Sequence, residues 1–242
     1  GNTNNPNFVQ TIPYAQAPTL LGDYRLQAGS PCINKGNNSQ VPSFSISDLD
    51  GNERIYLGSV EMGAYEYVNC PNIEFVFVDS SVAFSGNGAT WANAYKTLSE
   101  ALDFIHCSNI KEIRIAKGTY YPTGTQNGTN KDSTFLITRG GVKILGGYPS
   151  GGGTRNVALN KTILSGDIGT ANNNSDNSYH VMILAGIGAN EDSISIDGIN
   201  FQGGNANASG TKIYNAQTID RNDGGGLVIW NVLNGEKVQV SN

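Results

Sequence analysis

A chain of 242 residues is long enough to bury a full core, either as one all-β domain or as two smaller units. Its 31 glycines, 14% charged residues and 38% hydrophobic residues describe short apolar runs broken by turns and exclude a helical bundle. A formal net charge of -5 with a sequence pI near 5.0, and lysines and arginines scattered without aromatic interleaving, exclude the basic footprint of a nucleic-acid binder.

No apolar run approaches the ~20 residues that cross a bilayer as a helix. The opening GNTNNPNF lacks the basic-then-apolar layout of a signal peptide. The expectation is a cytoplasmic protein or an internal piece of a longer one.

Residues 1–69 carry short strand-like elements and turns: DYRLQAGSPCINKG from Asp23 to Gly36, then ISDLDGNERIYLGSVEMGAYEY with one last β-like run. Next comes WANAYKTLSEALDFIHC, in which Trp91, Tyr95, Leu98, Leu102 and Ile105 follow a helical stripe behind Thr90 as N-cap. This predicts one amphipathic helix over about 90–107, with the aromatic rings of Trp91 and Tyr95 packing in the core instead of serving as a sugar platform. From Ile113 onward, the runs IRIA, TFLI, VKIL, TILSG, HVMIL, ISIDGINF, LVIW and VQV recur between glycine or asparagine turns. Gly140-Gly141, Gly146-Gly147, Gly203-Gly204 and Gly224-Gly225-Gly226 sit beside the strands, where a coil turning between parallel strands needs positive φ. VMIL and LVIW are continuously apolar, as in strands with little solvent on either face. The fold expected is all-β, a parallel β-helix, with the helix covering its N-terminal end against aggregation.

The series DYRLQAGSPCINKG, DLDGNER and VEMGAYEY resembles the C-terminal coil and cap of pectin-lyase-like right-handed parallel β-helix proteins of bacterial surfaces. The series FVDSSVAFSGNGATWANAYKTLSEAL, EIRIAKGTYYP, GVKILGGYPSGGGTRN, TILSGDI and IDGINFQGGNA resembles the N-terminal half of such a unit. The resemblance covers most of the chain and implies a permuted order. Residues 1–69 would be the C-terminal coil and cap of one β-helix repeat, and 70–242 the N-terminal cap helix and first coils of the next. Tyr67 to Phe75 would then be the junction, and more coils would follow Asn242, since solenoid ends need caps.

The relatives implied include polysaccharide lyases and glycoside hydrolases, which work through two carboxyl groups ~5 to 9 Å apart facing one groove. Asp167, Asp176, Asp192, Asp197, Asp220 and Asp223 are the candidates, but none lies in a paired-aspartate or Gly-His-Gly setting. His106 ends the expected helix, where its charge suits the dipole, and His180 reads as a strand-edge residue. No catalytic residue is assigned. Asp48, Asp50 and Asn52 alternate before a turn and are candidate calcium ligands, against the simpler reading of an Asx turn. Cys32, Cys70 and Cys107 are too few for a disulfide scaffold and lack zinc spacing. They read as small buried side chains, with a Cys70–Cys107 disulfide as the alternative. Arg25 and Arg54 are either solvated or paired with acids of the terminal cap. The loop TANNNSDNS, from Thr170 to Ser178, is polar and is either neutral surface or a binding loop.

The sequence therefore reads as a non-enzymatic structural and adhesive repeat, extracellular on a bacterial surface. Its partners would be neighbouring repeats or identical copies, with carbohydrate or cell surfaces as targets. The alternatives are a carbohydrate-active β-helix enzyme and a calcium-stabilised subunit that pairs tail to head in a fibre.

Overall fold

The structure is a computed structural model. It describes the chain apart from residues 1–4, 17–21, 43, 46–47, 50–53, 56–58, 69, 106, 108, 127, 188–192, 216, 233–237 and 242. Two compact units are present, Gly1–Cys70 and Pro71–Asn242. Cys70 and Cys107 are both disulfide-bonded, and Cys32 is a buried thiol.

Among the described residues the first unit holds one antiparallel pair, β1 (Phe8–Gln10) and β2 (Asp23–Leu26). Phe8 and Tyr24 meet edge to face at 5.4 Å. Most of the remaining described backbone is turns, including the 3-10 turn Asn38–Gln40, which the Asn37 side chain caps by accepting from the Ser39 amide. Its buried apolar side chains among the described residues are Leu26, Cys32 and Val60. So small an apolar core leaves polar contacts to fix these turns.

Among the described residues the second unit holds thirteen strands. They are β3 (Phe75–Val78), β4 (Glu112–Ala116), β5 (Gly118–Tyr120), β6 (Phe135–Ile137), β7 (Lys143–Tyr148), β8 (Thr162–Ser165), β9 (Met182–Ile187), β10 (Ile194–Asp197), β11 (Ile199–Gln202), β12 (Thr211–Tyr214), β13 (Gln217–Asp220), β14 (Leu227–Val232) and β15 (Val238–Ser241). Three sheets are wholly parallel, ordered β15-β10-β7-β4-β3, β11-β8-β5 and β14-β9-β6. From β4 the chain visits the first, second and third sheets in turn, and repeats that order twice more before returning to the first in β15. An antiparallel hairpin, β12–β13, interrupts the third round.

Alternation explains each rung. In Glu112–Ala116, Ile113 and Ile115 point inward and are fully buried, while Arg114 lies outside, 4.1 Å over the Phe75 ring and bonded to Glu112. In-register pairing stacks Val76, Ile113, Ile144 and Ile196 in one column, all with no exposure. A second column runs Ile137, Leu184, and a third Phe135, Met182. The continuous apolar run of β9 has a specific cause: Ile183 and Ala185, on its other face, are covered by the hairpin residues Tyr214 and Ile219 together with Val228.

The turn glycines divide into two kinds. Gly141, Gly147 and Gly203 have positive φ, as expected of corners. Gly204 is required by close approach instead, since a Cβ there would lie 1.9 Å from the Gly225 carbonyl oxygen.

The helix over 90–107 is corrected by the structure. Trp91–Asn93 is a 3-10 turn capped by Thr90, Ala94 is extended, and the only α-helix among the described residues of this stretch is α1 (Leu98–Leu102). Tyr95 cannot be helical because its backbone is bound to β3: its N–H donates to Phe77 at 2.9 Å and its carbonyl accepts from Asp79 at 2.8 Å. The true start signal is Thr97-Leu98-Ser99-Glu100, a capping box with both reciprocal bonds made. Leu98, Ala101 and Leu102 are buried, and α1 packs against β3 and β6, each the first strand of its sheet. Trp91 and Tyr95 pack as rings but not on a helix: Trp91 lies 4.9 Å from Phe77 and 5.3 Å from Tyr148, and Tyr95 stacks on Phe104.

Candidate functional site

Of the aspartates considered for chemistry in the second unit, Asp167, Asp176, Asp197 and Asp223 are engaged in local structure through their carboxylates, and Asp220 through its backbone amide. Asp167 accepts from the Gln126 side chain and the Asn172 amide, and Asp176 from the Thr170 amide and the Asn173 side chain. Asp197 accepts from Ser241 Oγ and Arg155. Asp223 accepts from the Asp220 amide. Asp192 lies outside the described residues. Hydrogen bonds hold two of these carboxyls below the usual carboxylate range: Ser241 and then Arg155 for Asp197, and chiefly the Thr170 amide for Asp176. Such groups are settled anions, unsuited to the general-acid half of glycoside cleavage. His180 is buried with Nδ1 3.1 Å from the Gly224 carbonyl, so that nitrogen carries the proton toward a backbone acceptor. His106 lies outside the described residues.

A pair of contacts that sequence reading missed ties the hairpin down. Arg221 donates through Nε and Nη2 to the two carboxylate oxygens of Asp132, at 2.7 and 2.9 Å, and Tyr214 Oη donates to the Asp132 carbonyl at 2.7 Å. The Arg221 hydrogen bonds lower the Asp132 pKa. Asn215, in the left-handed region at φ 44 between TKIY and QTID, was the available signal.

In the first unit a buried ionic network replaces an apolar core. Asp48 accepts from the Glu66 amide at 2.8 Å, Glu66 accepts from the Glu61 amide and from Arg54, and Glu61 accepts from the Tyr67 amide. Arg54 also donates to the Gly63 carbonyl at 2.7 Å. Burial raises the Glu61 pKa to about 7, with Glu66 and Asp48 adding to the rise and Arg54 opposing it, and burial likewise raises Glu66. Of the candidate calcium ligands, Asp48 belongs to this network, while Asp50 and Asn52 lie outside the described residues. Among the described residues no three His, Cys, Asp or Glu side chains are grouped so as to hold a metal. An open cleft of about 240 Å³ beside the network is lined by Asn37, Ser45, Arg54 and Glu61 among others, with Glu61 its single carboxyl.

β11, β14 and β15 are the last described strands of the three parallel sheets. Each pairs on one side only among the described residues. Two inward columns end here in partly exposed members: Val240, next in register after Ile196, is 50% exposed, and Ile229, next after Leu184, is 46% exposed, whereas Ile199 on β11, next after Thr162, is buried. Trp230 is 45% exposed beside them. None of the fourteen residues of these three strands is charged.

Comparison with protein-family models, with curated proteins and with solved structures finds no match to this chain. Among the described residues no helix is long and apolar enough to cross a membrane.

Proposed function

We propose that the chain is a non-enzymatic structural and adhesive module of a long secreted protein of the bacterial cell surface. In this reading the second unit is a right-handed parallel β-helix, whose coils stack into a rigid stalk or fibre that contacts carbohydrate or surfaces. The observation that carries it is the fixed order in which the chain revisits three parallel sheets with their inward residues in register. Parallel rungs of this kind give stiffness, and repetition gives many weak contacts whose avidity exceeds any one of them. The disulfide-bonded Cys70 and Cys107 support an oxidising, extracellular location. The resemblance of FVDSSVAFSGNGATWANAYKTLSEAL and the series that follows it to surface β-helix repeats supports the same assignment.

The test is a panel of soluble and insoluble polysaccharides. Retention of the protein on one or more insoluble polymers, without shortening of any chain, is the expected result. One observation favours the carbohydrate-active alternative: Glu61, with a pKa near 7, lines an open cleft beside Arg54. Release of new reducing ends or unsaturated products, abolished by Glu61→Gln, would establish that alternative and displace the structural reading.

A further inference from the structure

From the side chains of Asp167, Asp176, Asn177 and Ser178 we infer that the second unit carries a calcium-binding site, where the turn after β8 meets the approach to β9. The inference goes beyond the module reading and does not depend on what the module contacts. Its residues are a different set from Asp48, Asp50 and Asn52.

Each of the four residues has one buried side-chain oxygen with no hydrogen-bond partner in the chain: Asp167 Oδ1, Asp176 Oδ1, Asn177 Oδ1 and Ser178 Oγ. Among the described residues only two other buried side-chain atoms share that condition, on Glu66 and His180. The second carboxylate oxygens are in use. Asp167 Oδ2 accepts from Gln126 Nε2 at 3.1 Å and the Asn172 amide at 2.9 Å, and Asp176 Oδ2 from the Thr170 amide and Asn173 Nδ2, both at 2.9 Å. Asn177 Nδ2 donates to Asn174 Oδ1 at 3.4 Å. Asn177 is 2% exposed and Ser178 is fully buried. These two are uncharged and interior, so their unused oxygens are not a by-product of an acidic surface. Buried polar atoms are ordinarily satisfied, and a group of them left over together marks the place of a ligand.

Three backbone segments bring the group together. The Gly166 amide donates to the Gln202 carbonyl and the Ser178 amide to the Gly166 carbonyl, both at 2.8 Å, tying the end of β8 to β11 and to the approach to β9. Ser178 Oγ and the Gly203 carbonyl oxygen both lie within 2.7 Å of the point that a Cβ on Gly166 would occupy. Asp167 Cβ and the Asn177 amide nitrogen both lie within 3.4 Å of the corresponding point on Gly203, where φ is +68. Asp167, Asn177 and Ser178 therefore gather around Gly203, and Asp176 is held to the same turn through Thr170.

The chemistry of the group selects the ligand. Two carboxylate oxygens and one amide oxygen can only accept, and a single water, with two hydrogens to give, cannot satisfy all three. A cation meets every one of them at once. Two aspartates balance a divalent charge, and a set made of carboxylate, amide and hydroxyl oxygens suits calcium, which takes about six to eight oxygens in irregular geometry. Zinc sites draw on nitrogen or sulfur, and magnesium demands a near-octahedral shell and keeps much of its own water. Backbone carbonyls and solvent complete the calcium shell. Bound there, the ion would fasten the turn after β8 to the approach to β9.

Calorimetric titration of the chelator-treated full chain with calcium chloride is the experiment. One calcium per chain is expected, with a Kd on the order of 10⁻⁴ to 10⁻³ M, the weak end of calcium sites, since only two ligands are charged. Magnesium at the same concentration should not compete. Amide exchange at Thr170, Asn172 and Ser178 should slow when calcium is added. Asp176→Asn keeps an acceptor for the Thr170 amide and should weaken calcium binding roughly tenfold or more, with an unchanged circular-dichroism spectrum. Asn177→Asp adds a third carboxylate, so it should tighten calcium binding while lowering the melting temperature of the metal-free chain. Asp48→Asn should leave the titration as it is. No binding at about 10 mM calcium, well above that range, overturns the inference. So does equal binding of magnesium, or calcium binding that survives Asp176→Asn undiminished or is lost with Asp48→Asn.

Discussion

Glu61 is a carboxyl that the fold makes costly to ionise. Its value rises from 4.5 to about 7, so the native state binds its proton more tightly than the unfolded chain. The associated stability is fully present below about pH 4.5 and is lost as pH rises through about 7. At 1.36 kcal/mol per unit, the change is roughly 3 kcal/mol at most, and Glu66, also raised by burial, acts in the same direction. The first unit should therefore be tighter at pH 5 than at pH 8. Amide exchange at Val60, Glu61, Glu66 and Tyr67, corrected for intrinsic rates, measures it. Glu61→Gln keeps an acceptor for the Tyr67 amide and should flatten the profile. Arg54→Ala should cost more, on the order of 3 to 5 kcal/mol, because it leaves the Glu66 carboxylate buried without its cation.

At the scale of elements, the hairpin β12–β13 is held by apolar cover on β9 and by Asp132. Arg221→Ala removes two charge-assisted hydrogen bonds, and a loss of hairpin stability is expected. It should appear as faster amide exchange in Thr211–Tyr214 and Gln217–Asp220, with β4 and β7 unaffected. Asp132 has a lowered pKa, so this contribution is present above 3.8 and fades as pH falls through the lower native value. Acid therefore loosens the hairpin in the range where it no longer helps the Glu61 region.

The short β-rich runs that sequence reading picked out from Ile113 onward contain strand residues, because alternation such as Ile113-Arg114-Ile115 is local and survives any register. The helix over 90–107 was over-read because a stripe of apolar positions does not reveal that the Tyr95 backbone is claimed by β3. The capping box at Thr97–Glu100 marked the shorter element. The hairpin had a local signal in Asn215 between TKIY and QTID, whereas the Asp132–Arg221 contact, 89 residues apart, was not legible, since a partner so distant in sequence carries no local signature. For the network of Asp48, Arg54, Glu61 and Glu66, the sequence offered Arg54 as a partner for acids of the terminal cap, while which acids it meets depends on turns that carry no periodic pattern.

For the second unit as a whole, in-register parallel sheets make the energy of each rung depend on its neighbours. Ile144 is flanked by Ile113 and Ile196, all fully buried. Truncation to alanine there opens a cavity that packed neighbours on both sides cannot close, at an expected cost of about 2 to 5 kcal/mol. Val240 has a described neighbour on one side only and half its surface in solvent. In dilute protein, Val240→Ala should cost about 1 kcal/mol or less, since little apolar area returns to water. Nearest-neighbour coupling then predicts a gradient of amide protection, highest in β4 and β7 and falling through β10 to β15. Denaturation of the two variants side by side measures this difference. Equal sensitivity of both sites at low concentration would show that the last rung is already sealed within one chain.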